Sequence, residues 1–207
     1  MLNKERQEEV VELCQHLIQK QSYSGHEDGV AGVLEEQLKK KGFDSVTVDK
    51  YGNVIGCIKG NRPGKKILFD GHIDTVPVTD ETEWQYPPFA AEIHDGKIYG
   101  RGTSDMKGAV AGFVTAAAAF AEDTKKDFAG EIYVAGVVHE ECFEGVAARE
   151  ISNFVKPDYV VIGEASQLNI KIGQRGRGEI VLETFGKPCH SANPEKGINA
   201  VYKMAKV

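Results

Sequence analysis

The sequence predicts an α/β fold, a sandwich in which a mixed β-sheet carries helices on both faces. Residues 67–69 and 131–138 are continuous apolar runs, which are typical of strands buried on both sides. Residues 106–120 are so rich in Ala and Gly that they indicate a helix packed closely against a sheet. Because helical and strand segments of this kind alternate along the chain, the sequence favours a layered α/β arrangement.

Helical periodicity and its stop signals define the N-terminal elements. Asn3 is expected to cap a helix that runs to about Gln19, and Ser24 opens a second helix that Gly42 ends. Strands are expected next at residues 45–48, 53–59, 67–69, 91–94 and 97–99. After the apolar run at 131–138, a helix near residues 145–154 and a strand at 159–162 complete the predicted order.

Composition and charge argue against several functional classes. The 207 residues carry a net charge of −6 and no basic stripe, which disfavours binding to nucleic acids or anionic membranes. The N-terminus is too polar for a signal peptide, and no apolar run is long enough to span a bilayer. The four cysteines (Cys14, Cys57, Cys142 and Cys189) form no Cys-x-x-Cys pair, so we expect free thiols and a cytoplasmic location.

Candidate functional residues form four clusters next to predicted elements. Three of the clusters follow the ends of strands, and the fourth, Asp105, begins a helix. The clusters are His72 with Asp74, Asp105 alone, Glu140 with Glu141, and Glu164 alone. Because open α/β sheets place their sites along the carboxyl edge of the strands, we expect these side chains to converge.

Their chemistry is that of a two-metal hydrolytic site. Asp105 has two oxygens with which to bridge two metal ions, and His72 can donate a ring nitrogen to the first of them. Asp74 lies on the same side and can orient that ring. One member of the Glu140–Glu141 pair can bind metal while the other takes a proton from water, and the residues alone leave open which does which. Glu164 would complete the coordination of the first metal ion.

Each cluster also has an ordinary structural explanation. His-x-Asp occurs by chance in many proteins, and a Glu-Glu pair is usually a solvated surface. Asp105 alone is equally well explained as a helix N-cap. Only the common position of the clusters after apolar strands favours a shared site.

Five motifs resemble those of the M20 family of metallopeptidases, which includes aminoacylases, acetylornithine deacetylase and succinyl-diaminopimelate desuccinylase. The motifs occur in the family's order at residues 71–78 (GHIDTVPV), 95–112 (DGKIYGRGTSDMKGAVAG), 139–141 (HEE), 163–166 (GEAS) and 186–200 (GKPCHSANPEKGINA). The resemblance extends over almost the whole chain. It is greatest to a bacterial branch of hydrolases assigned to selenium metabolism, an assignment that implies little about the substrate.

The resemblance implies a role for each candidate residue. His72 and Glu164 would bind one zinc ion, Asp105 would bridge, and Glu141 would bind the other zinc ion. Glu140 would be the general acid and base, and Asp74 the partner of His72. The peptide bond that follows Asp105 is expected to be cis. The cofactors implied are two divalent metal ions, zinc above all, with cobalt or manganese as alternatives.

The resemblance also implies two domains and a homodimer. Residues 1–174 would belong to the catalytic domain, of the zinc-exopeptidase type. Residues 175–207 would begin a small α+β dimerisation or lid domain, with a strand at 179–185 and a helix at 197–206. On that domain, His190 would contact a substrate carbonyl oxygen, often in the site of the partner subunit.

Two departures from the family pattern affect this assignment. His139 stands where many relatives have Asp, Ser or Thr. The family also supplies a further metal-binding histidine from a later part of the chain. We therefore expect that these 207 residues are a piece of a longer protein and that, taken alone, they leave the second metal site one ligand short.

The function that we expect is hydrolysis of an amide bond in a small N-acyl amino acid or peptide through a metal-bridging hydroxide, with Glu140 as the general base. One alternative is a non-catalytic binding or interaction module on the same fold. Another keeps the metal site and uses it on a ureido or carbamoyl group. Glu140 beside Glu141 favours an enzyme, because a binding module has no need of a base.

Overall fold

The computed structural model describes residues 3–143, 145–176, 178 and 180–207. The chain forms two compact units, and the first of them, Met1–Leu168, contains a five-stranded mixed sheet. Its strands lie in the order β1-β2-β6-β3-β7. They are β1 (Ser45–Val48), β2 (Val54–Lys59), β3 (Arg62–His72), β6 (Ala129–Val137) and β7 (Tyr159–Ile162), while β4 (Glu92–His94) and β5 (Lys97–Tyr99) form a separate hairpin. β3 is parallel to β6 and to β7, whereas β2 is antiparallel to β1 and β6.

Four helices accompany this sheet: α1 (Lys4–Ile18), α2 (Asp28–Lys40), α3 (Gly108–Thr124) and α4 (Val146–Val155). Asn3 caps α1 as predicted, because its side-chain oxygen accepts a hydrogen bond from the backbone N–H of Arg6 at 2.9 Å. One face of α1 is buried at Leu13, Leu17 and Ile18.

Helices cover both faces of the sheet, as the sequence predicts. On one face, a Cβ at Gly136 would lie 2.3 Å from a methyl carbon of Leu34 in α2, so only glycine permits this close approach. On the opposite face, the side-chain amide of Asn53 donates a hydrogen bond to the backbone oxygen of Ala147 in α4 at 3.2 Å. The α/β sandwich around a mixed sheet is therefore confirmed.

The second compact unit spans Asn169–Val207 and contains α5 (Ala200–Met204). The strand expected at residues 179–185 is wrong for residues 180–185, and residue 179 lies outside the described residues. Among the described residues of this unit, the β-type pairing is a single isolated bridge between Lys187 and Ile198, and a strand needs a neighbour for its N–H and C=O groups. The expected helix is present but shorter than predicted. The division of the chain into catalytic and dimerisation domains stays a prediction.

Membrane-spanning helices are not found in the described parts of the chain, where every helix is too short or too polar to cross a bilayer.

Candidate metal centre

His72, the last residue of β3, is the centre of the predicted cluster. Its side chain is 2% exposed, and its Nδ1 lies 2.9 Å from the backbone oxygen of Asp74. Because a carbonyl oxygen only accepts, Nδ1 carries the proton and Nε2 is left to face the carboxylates. Nε2 lies 2.8 Å from Oδ1 of Asp105 and 3.7 Å from Oε1 of Glu164. This arrangement presents a ring nitrogen for metal binding.

The sheet topology brings the predicted ligands together. Two groups of three side chains each place one potential ligand atom per residue within 4.8 Å of the others. The first group is His72, Glu140 and Glu164, and the second is His72, Asp105 and Glu141. The carboxyl ends of β3, β6 and β7 meet at one edge, which explains why residues distant in sequence converge.

Asp105 lies in the turn Thr103–Lys107 that precedes α3. Asp105 does not cap α3. The N-cap position of that helix is Lys107, whose side chain makes no capping hydrogen bond. The ordinary N-cap explanation of Asp105 is therefore wrong. The peptide bond between Asp105 and Met106 is cis, as the resemblance implies.

Asp74 is fully buried between the His72 ring and the backbone of Glu140 and Glu141. Its Oδ1 accepts a hydrogen bond from the N–H of Glu140 at 3.2 Å, and its Oδ2 accepts one from the N–H of Glu141 at 3.1 Å. The Ser24 hydroxyl also donates to Oδ2, at 2.6 Å. The His72 ring is 3.5 Å from the Asp74 carboxylate, so Asp74 contacts both the ring and the loop that follows β6.

The electrostatics of the cluster match the needs of a cation site. Burial, together with Glu164 and Glu141, raises the pKa of Glu140 to about 7. Burial and the neighbouring carboxylates also raise the pKa values of Glu141 and Glu164. Burial alone would lower the pKa of His72, but hydrogen bonds to Asp74 and Asp105 outweigh it and raise that pKa to about 10. Crowded carboxylates that resist ionisation around one imidazole are a donor set suited to divalent metal ions.

A cavity of about 220 Å³ lies beside Asp105 and Glu141. Arg101 supplies the cationic side chain in its lining, and the guanidinium carbon lies 5.2 Å from the centre of the Trp84 ring. The buried hydroxyl of Thr75, which also lines the cavity, has no hydrogen-bond partner among the described residues. The cavity therefore offers polar groups next to the potential metal ligands.

Two residues near the cluster were missed by sequence reasoning. Glu27, at the start of α2, is buried and accepts a hydrogen bond from the N–H of His139. Lys107, the last residue of the turn Thr103–Lys107, is fully buried. Neither position carries a local sequence signal, because the partners of both lie far away in the chain. His190 lies in the second unit, and its contact with a substrate stays a prediction.

Sequence comparison identifies bacterial relatives of this chain. The chain is 34% identical over 210 residues to the uncharacterized protein YgeY of Escherichia coli K12, covering 99% of this chain and 50% of that protein. It is 35% identical over 201 residues to succinyl-diaminopimelate desuccinylase 2 of Ruegeria sp. TM1040, covering 91% and 50% respectively. The chain thus spans about half the length of these relatives.

A solved structure shares the fold. The M20 family metallo-carboxypeptidase Sso-CP2 from Sulfolobus solfataricus has a TM-score of 0.68 and 23% identity, over 96% of this chain and 48% of that one. The model of peptidase family M20/M25/M40 matches residues 68–206, a stretch that holds every predicted metal ligand. This chain therefore belongs to peptidase family M20/M25/M40.

Proposed function

We propose that the protein is a metal-dependent hydrolase that cleaves an amide bond in a small N-acyl amino acid or peptide. The observation that carries the proposal is the convergence of His72 with carboxylates from three other segments of the chain. Membership of a peptidase family supports it. The names of the relatives, a desuccinylase and a carboxypeptidase, point to the same class of bond.

The proposed metal ligands are His72, Asp105, Glu141 and Glu164. His72 and Glu164 would hold one ion, Glu141 the other, and Asp105 both. When bound, two divalent ions supply positive charge that lowers the pKa of water and polarises a carbonyl oxygen. Zinc suits this mixed nitrogen and oxygen donor set, and cobalt or manganese are alternatives.

Glu140 is the proposed general acid and base. It would take a proton as water adds to the amide carbon, and would then give that proton to the leaving nitrogen as the carbon–nitrogen bond breaks. A carboxylate can accept a proton and then donate it, so the side chain is suited to both transfers. Because Glu140 also lies within ligand distance of His72 and Glu164, the division of the glutamate pair into base and ligand needs a test.

Asp74 would act through its neighbours. Its backbone oxygen fixes the proton on Nδ1 of His72, and its carboxylate holds the backbone of Glu140 and Glu141. Arg101 favours substrates with a free carboxylate, because it places a cation in the cavity beside Asp105 and Glu141. We further propose that the enzyme acts in the cytoplasm as a homodimer, with His190 contacting the substrate.

A metal-supplemented assay against N-acyl amino acids, dipeptides and carbamoyl amino acids tests this proposal. We expect release of an amine from the first two classes, with loss of turnover in the Glu140→Gln variant. Release of product only from carbamoyl amino acids would reassign the reaction. Metal binding without any turnover would support a binding module.

A further inference from the structure

We propose that Glu27 is a positioning residue whose buried carboxylate fixes the loop carrying Glu140 and Glu141. Its importance for catalysis rests on the proposed function, whereas its effect on the loop does not. The carboxylate of Glu27 is 112 residues away in sequence from the loop that it contacts. Neither the family motifs nor the predicted ligands include it.

Glu27 occupies the N-cap position of α2 but does not cap that helix with its side chain. Instead, Oε1 accepts hydrogen bonds from the N–H of Gly25 and from the N–H of His139, both at 3.0 Å. The Nδ1 atom of His139 also lies 3.5 Å from Oε1. Since Glu27 is only 6% exposed, its burial is offset by contacts to the loop rather than by contacts to its own helix.

The loop after β6 is held by carboxylates at three successive amides. The N–H of His139 binds Glu27, and the N–H groups of Glu140 and Glu141 bind Asp74. His139 has a φ angle of 59°, a left-handed conformation that non-glycine residues rarely adopt. Successive amides that point together form an anion-binding concavity, so two carboxylates favour this backbone shape over alternatives.

Glu27 therefore fixes the first amide of the loop, and Asp74 fixes the next two. Asp74 also contacts the His72 ring, so a change at Asp74 disturbs several groups at once. Glu27 contacts no predicted metal ligand in the described structure, and it acts on Glu140 through the neighbouring residue His139. Removing its carboxylate would leave the His139 N–H without an acceptor and would release the loop at its first amide.

Amide hydrogen exchange by NMR on the 207-residue chain tests this inference directly. In Glu27→Ala we expect exchange at the amides of residues 139–141 to accelerate about 10- to 100-fold, as for loss of a hydrogen bond to a charged acceptor. Amides of α3 should keep their wild-type rates. Glu36→Ala, an exposed glutamate of the same helix, is the matched control and should change neither set.

Zinc affinity supplies a second readout. Loss of a group that orients metal ligands typically weakens affinity about 10- to 100-fold, and we expect this in Glu27→Ala but not in Glu36→Ala. If Glu27→Ala does not fold, Glu27→Asp replaces it, because the shorter side chain withdraws the carboxylate from the His139 N–H.

Unchanged exchange at residues 139–141, or equal acceleration throughout the molecule, would overturn the positioning role. Wild-type zinc affinity in a variant with a released loop would also overturn it. If the wild-type chain binds no zinc, the proposed function fails, but the exchange experiment still decides whether Glu27 holds the loop.

Discussion

The buried ammonium of Lys107 makes stability depend on pH in a way that the substitution Lys107→Met should remove. Its side chain is fully buried, and Nζ donates hydrogen bonds to the backbone oxygens of Leu17 at 3.0 Å and Lys20 at 2.9 Å. Burial lowers the pKa of Lys107 from 10.5 to about 8, although Asp74 and Cys14 act in the opposite direction. Methionine has a similar length and no charge, so the variant fills the same space without titrating.

The direction of the effect follows from the lowered pKa. Below pH 8, Lys107 is charged in both the folded and the unfolded chain, and the folded state carries the whole cost of burying the charge. Between pH 8 and 10.5 the folded state releases its proton first, so the unfolded state binds more protons and the free energy of unfolding rises with pH. The difference between 10.5 and about 8 is equivalent to about 3 kcal/mol. About 2.5 kcal/mol of this falls between pH 7 and pH 10.

Urea unfolding followed by circular dichroism at pH 7 and pH 10 measures this quantity. The free energy of unfolding of the wild-type protein, relative to Lys107→Met, should increase by about 2.5 kcal/mol between the two pH values. Lys40→Met, at an exposed position at the end of α2, should show no such change. A relative change below about 0.5 kcal/mol for Lys107→Met would refute the conclusion that the folded state buries a charged lysine.

Further predictions concern the base and the packing of the sheet. Glu140→Gln should leave zinc affinity nearly unchanged while turnover falls about 10²- to 10⁴-fold; equal loss of both would show that Glu140 is a ligand. Gly136→Ala should lower the free energy of unfolding by about 1–3 kcal/mol, because the added Cβ meets Leu34. A Cβ at Gly112 in α3 would meet open space, so Gly112→Ala should instead raise the free energy of unfolding by about 0.5–1 kcal/mol. Equal effects of Gly136→Ala and Gly112→Ala in urea unfolding would contradict the described packing.

The convergence of the ligands was predictable from sequence because it follows from topology. Apolar runs identify β3 and β6 as buried strands, and parallel strands end at the same edge of a sheet. In the structure β3 and β6 are parallel neighbours, so His72 and Glu140 follow strand ends at the same edge. Which of Glu140 and Glu141 would bind metal and which would act as the base was not predictable from the residues alone, because adjacent glutamates carry the same chemistry.

Long-range polar contacts are what sequence reasoning missed. Glu27 reads as an ordinary acidic residue at a helix start, and only the fold brings the N–H of His139 to it. Lys107 lies in the motif at residues 95–112, but only the fold shows that its ammonium meets the backbone oxygen of Leu17 in α1. The strand expected at residues 179–185 followed from the family resemblance, but residues 180–185 have no neighbouring strand to pair with in the described part of the chain.

Anomalous diffraction at the zinc absorption edge, from crystals soaked in zinc, tests the metal centre most directly. We predict anomalous peaks about 2.0–2.2 Å from Nε2 of His72 and from carboxylate oxygens of Asp105 and Glu164. A second peak should lie next to Asp105 and Glu141. Zinc found only at other histidines, such as His16 or His94, with no peak beside His72, would contradict the assignment of this cluster as a metal centre.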